Sequence, residues 1–119
     1  MRGHLVEHGP LARGTFAVVV LVSLAVLFAP GPAVPSAPAG VDKVVHLGLF
    51  LALAVSGRWA GIPRGVLAAA LPLYAAASEL LQEIPALDRD ATLGDWVADV
   101  VGVLLGLLLW GVANRRRAR

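Results

Sequence analysis

The sequence predicts an all-α membrane protein: four transmembrane helices in a compact bundle, with a polar pocket at the outer face. Three observations predict it. Of 119 residues, 58% are hydrophobic and only 15% are charged, with a mean hydropathy of +0.78. A soluble domain carries charge on closer to a quarter of its residues. Long stretches hold no charge at all, and the cations gather at the ends of those stretches, where membrane topology requires them. The pI of about 9.9 is therefore a topology signal, and no nucleic-acid partner is expected. One domain accounts for the length. Cysteine is absent, which excludes disulfide and thiolate chemistry.

The elements follow in order. Residues 1–13 read as a basic cytoplasmic N-terminus, and 14–114 as the four-helix domain. Residues 14–41 hold no charge. Their helical part is "TFAVVVLVSLAVLFA", and "PGPAVPSAPAG" ends it, because proline lacks a donor and fixes φ. This first segment has a rival reading as a cleaved signal peptide, with a basic start and "APA" at 37–39. The second segment, "VVHLGLFLALAVSG", lies between Lys43 and Arg58. The third, "GVLAAALPLYAAAS", lies between Arg64 and Glu79, and the fourth, "VVGVLLGLLLWGVAN", between Asp99 and Arg115. A span needs about 20 residues, so the last three reach span length only if each helix carries its charged turn inside the membrane boundary. Residues 115–119 form a basic tail.

Orientation follows from Lys and Arg. With both termini inside, eight of the ten cations are cytoplasmic, and Lys43 and Arg89 lie outside. Trp59 and Trp110 then sit near the inner side, where they read equally as interface anchors or as lipid-facing bulk. Six of the eight acids fall between residues 78 and 99, at the outer end.

Helical spacing arranges these polar residues, since positions three and four apart share a face. Asp42 and His46 pair at the outer end of the second helix, with Lys43 adjacent. Glu79 and Gln82 pair near the outer end of the third, and Ala75 continues that face inward. Asp95 and Asp99 open the fourth, and the same stripe runs on through Gly102 and Gly106. Small residues let helices approach closely in lipid, so the acidic face of the fourth helix points at its neighbours. Ionisable groups at membrane depth rarely face lipid. Convergence of Asp42, Lys43, His46, Glu79, Gln82, Asp95 and Asp99 on one outward pocket satisfies all three helices, with Arg89 in the loop above. Bland readings stand beside this one. Asp95, or Thr92, can cap the fourth helix; Asp42 and Lys43 can be boundary charges; Tyr74 can be a packing residue and Ser78 a back-bonded hydroxyl.

"DKVVHLGLF", "ELLQ" and "DRDATLGDWVADVVGVLLG", in this order on consecutive helices, resemble the VanZ-like family of bacterial membrane proteins. The family pattern is roughly D-K-x-x-H, then E-x-x-Q, an arginine loop and D-x-x-x-N-x-x-G-x-x-x-G. The resemblance covers residues 42–106. It matches at Asp42, Lys43, His46, Glu79, Gln82, Arg89, Asp95, Gly102 and Gly106, and departs at Asp99, where the family usually has asparagine. It implies a multi-pass protein of the bacterial cell membrane with an envelope role. The family's namesake is associated with resistance to the glycopeptide teicoplanin, and the family has been grouped remotely with membrane proteins thought to act on lipid head groups.

Three function classes follow. In an enzyme on membrane or polyprenyl lipids, His46, Glu79, Asp95 and Asp99 are the catalytic candidates, with His46 as acid or base. Asp42, Lys43, Gln82 and Arg89 would bind substrate, the two cations clamping phosphate. No cofactor is expected; a divalent cation is conceivable on the carboxylates and histidine, but no spacing matches a dedicated metal motif. A non-catalytic module would use the same pocket to bind a lipid-linked wall precursor or a partner protein. A small transporter fits less well, because its first helix would carry the buried acid and this one carries none. Nothing in the residues reports oligomeric state.

Overall fold

The computed structural model describes residues 9–28, 41–82 and 93–118; within these, the side chains of 41, 42, 82, 93, 95 and 115–118 lie outside the description. The described residues form four helices and no strand: α1 (Pro10–Leu27), α2 (Val41–Trp59), α3 (Arg64–Gln82) and α4 (Leu93–Ala118). α1 starts at Pro10, inside the stretch expected to be N-terminal tail. Proline fits the first turn because its missing N–H would have no intrahelical partner there. The other helices run through the charges that bound their apolar cores. Charge sets where a helix meets water but does not break its backbone hydrogen bonding.

Each of α2, α3 and α4 buries one stripe at helical spacing. On α2 the stripe is His46, Phe50, Leu53, Ala54 and Gly57; on α3 it is Leu67, Leu71, Ala75, Ser78 and Glu79; on α4 it is Asp99, Gly102, Val103 and Gly106. α1 adds Ala12, Ser23 and Leu27. The apolar members form one core with Leu27, Phe50, Leu53, Leu67, Leu71 and Val103 at its centre. The outward faces are equally apolar: Leu21, Val44, Leu73 and Leu108 are each at least 62% exposed. Water would not tolerate such a belt on a monomer, whereas lipid solvates it.

α2 is the central helix, packing on α1, α3 and α4, and its contact with α4 is the most extensive. Two glycines make that contact possible. A Cβ on Gly102 would strike the carbonyl oxygen of Leu47, and one on Gly106 would lie 2.7 Å from the carbonyl oxygen of Leu51 and 2.8 Å from the Ala54 methyl. The backbone of α4 thus rests directly on α2, the small-xxx-small device of membrane helices.

α2 and α3 are joined by a tight turn. Gly61, at φ 101°, donates to the Arg58 carbonyl at 3.1 Å, and the Ile62 N–H reaches back to Gly57 at 2.9 Å. This is the two-bond closure that ends many helices, and it requires a left-handed residue best supplied by glycine. The Arg58 side chain donates to the Ile62 carbonyl at 2.9 Å. Pro63 follows, and its carbonyl accepts from the N–H of Leu67. Leu67 fills the space left by the absent side chain of Gly57, beside Phe16 of α1.

Three helices, α1, α3 and α4, are long and apolar enough to cross a membrane. Four spans were expected. α2 falls short on its own because any 18 consecutive residues of it contain Asp42, Lys43 and Arg58, more charge than the corresponding stretches of α3 and α4 carry.

Candidate functional site

The three buried stripes share a design: each is apolar along most of its length and polar at one end. His46 lies five residues into α2, Asp99 six into α4, and Glu79 three before the close of α3. At 1.5 Å per residue these depths are about 7.5, 9 and 4.5 Å from the helix ends. α3 runs opposite to α2 and α4, so all three ends fall on one side of the bundle.

There the side chains meet. His46 Nδ1 lies 2.8 Å from Asp99 Oδ1, between side chains 2% and 0% exposed. One donor atom each from His46, Glu79 and Asp99 lies within 4.8 Å of the others, and Glu79 is 8% exposed. The close approach at Gly102 explains the first contact. Asp99 is one turn before Gly102 on α4, and His46 is the neighbour of the Leu47 carbonyl on which Gly102 rests. Backbone contact at that point leaves a carboxylate and an imidazole within hydrogen-bonding reach.

Where Asp99 is ionised it can only accept, and the Nδ1–H of His46 is then the donor. Either way the contact fixes the imidazole ring, the arrangement by which a carboxylate orients a histidine. The trio can take up, hold and return a proton, and its three donor atoms are of the types that ligate a metal.

The other expected site residues divide in two. Lys43 is described and exposed, one turn from His46 towards the helix start. Asp42, Gln82 and Asp95 occupy helical positions at the same end of the bundle, but their side chains lie outside the described residues, and Arg89 lies outside them entirely.

Sequence reasoning missed the Trp96 bond and the Ser23 partner of Tyr74, while reading Tyr74 as the packing residue it is. Trp96, one turn before Asp99, donates its indole N–H to the Pro72 carbonyl at 3.2 Å and so ties α4 to α3. Tyr74 shares a 2.8 Å hydrogen bond with Ser23 of α1 and packs its ring 5.7 Å from that of Phe50. Ser78 donates to the Ala75 carbonyl at 2.8 Å beside Glu79, the back-bonding read from its position. A tryptophan three residues before an acid on the same face was the available signal for Trp96; a lone serine in an apolar helix was the signal for Ser23.

Comparison with family models, with characterised proteins and with solved structures finds no match to this chain.

Proposed function

We propose that this chain is a four-span protein of the bacterial cell membrane, VanZ-like in its motifs, that acts on the phosphate-linked head group of a membrane or polyprenyl lipid. The observation that carries the reading is the meeting of His46, Glu79 and Asp99 from three helices at one buried level. Burying two carboxylates and an imidazole against the bilayer is costly, and such residues are kept for function. α2 completes the four spans, with His46 and Ser56 covered by the other helices. The distribution of Lys and Arg puts both termini in the cytoplasm and the trio near the outer surface.

In this reading His46 moves the proton, Asp99 orients His46, and Glu79 is the second acid–base group. Lys43 and Arg89 hold phosphate oxygens, while Asp42, Gln82 and Asp95 line the approach. Altered precursor chemistry at the cell surface would in turn change access for glycopeptide antibiotics.

The test compares lipid and wall-precursor profiles in cells with the protein, without it, and with His46→Ala at matched abundance. The expected result is a head-group change that depends on the protein and disappears in the variant. Identical profiles in all three would reject turnover. Lipid that co-purifies unaltered would instead mark a binding module.

A further inference from the structure

We infer that His46, Glu79 and Asp99 together bind one divalent cation of the zinc or manganese class. The inference deepens the head-group reading and rests on it for its second argument.

The first argument is geometric. Ligand atoms about 2.1 Å from one ion lie roughly 3 to 3.4 Å from each other at octahedral or tetrahedral angles. One donor atom from each of His46, Glu79 and Asp99 already lies within 4.8 Å of the others, and an ion bound at Nδ1 would take the place of the proton in the 2.8 Å His46–Asp99 contact. Each donor comes from a different helix. The Gly102 contact with α2 and the Trp96–Pro72 bond between α4 and α3 hold those helices in place, so side-chain rotation alone can close the set around an ion.

The second argument is electrostatic. Buried carboxylates are paired, bind metal or give up their charge. A phosphate brought to this site would face two carboxylates, at 8% and 0% exposure. Lys43, exposed and one turn from His46, can meet a phosphate oxygen at the approach, but its single charge does not neutralise both carboxylates. A divalent cation reverses the sign of the site.

The third argument is donor chemistry. Carboxylates alone would suit magnesium or calcium, but an imidazole nitrogen shifts preference towards zinc and manganese. The chain has no thiolate to compete. Three protein ligands leave a coordination position for water or a phosphate oxygen, as catalytic metal sites require.

The test uses the full chain in detergent, stripped with EDTA and titrated separately with zinc and manganese chloride, with bound metal measured by mass spectrometry after desalting. The expected result is about one ion per chain, and a loss of affinity of about 100-fold or more in each of His46→Ala, Glu79→Gln and Asp99→Asn. The last two keep shape and hydrogen-bonding capacity, and circular dichroism checks that all three stay helical. Wild-type protein that takes up neither metal at millimolar concentration overturns the inference, as do folded variants that bind like wild type. No lipid enters this measurement. Bound metal with unchanged lipid profiles would remove the proposed function alone; changed profiles without bound metal would remove the metal site alone.

Discussion

α1 and α2 are nearly equal in length, 18 and 19 residues, yet they occupy opposite roles. α1 is apolar enough to stand as a span by itself. It buries little and leans chiefly on α2. α2 carries Asp42, Lys43, His46 and Arg58, fails the same criterion, and touches all three other helices, most extensively α4. Hydropathy reports the surface a helix shows to acyl chains, so it picks out the peripheral helix and underrates the central one. Polar side chains are tolerable at depth only where other helices cover them, and α2 is the covered helix.

Substitutions can test that contrast. Gly102→Leu forces a branched side chain into the α2 backbone and should cost about 3 kcal/mol, read as a lower unfolding temperature in detergent. A stable variant would mean that the two helices do not touch there. Glu79→Met replaces a buried acid with an apolar side chain of similar size. Stability should hold or rise by about 1 kcal/mol while the protein-dependent lipid change is lost. A variant that unfolds would make Glu79 a structural residue, and a folded one that still supports that change would remove it from the proposed chemistry. Tyr74→Phe removes the bond to Ser23 that fastens α1, and should cost about 0.6 kcal/mol by the same melting measurement. Leu21→Ala on the outer face of α1 and Gly48→Ala on α2, where a Cβ meets nothing within 4 Å, should each stay within about 0.5 kcal/mol of wild type. A large loss at Leu21 would show α1 to be as embedded as α2.

Much of the architecture was legible in the residues because periodicity survives in one dimension. The gaps between charges locate four helices. The intervals from His46, Glu79 and Asp99 to their apolar neighbours place all three at the same end of buried stripes, and Gly102 and Gly106 continue the stripe of Asp99. Helix limits were less legible. The charges that bracket α2 at Lys43 and Arg58 lie inside a helix running from Val41 to Trp59, since a charged residue keeps its backbone hydrogen bonds. Cross-helix pairs were not legible at all. Ser23 and Tyr74 are 51 positions apart, and Trp96 and Pro72 are 24 apart, and no spacing rule reaches across a packed interface. Whether α2 spans unaided was also hidden, because the answer depends on which neighbours cover it.

The turn from Gly57 to Pro63 has a consequence for how such a chain gets into a bilayer. With the last turn of α2 bonded back on itself and proline following at once, the two helices are joined as a tight hairpin with little slack between them. A segment with ions at both tips partitions poorly alone. Under the four-span reading, tethering to α3 would make its insertion a shared event, the more apolar helix lowering the cost for its neighbour.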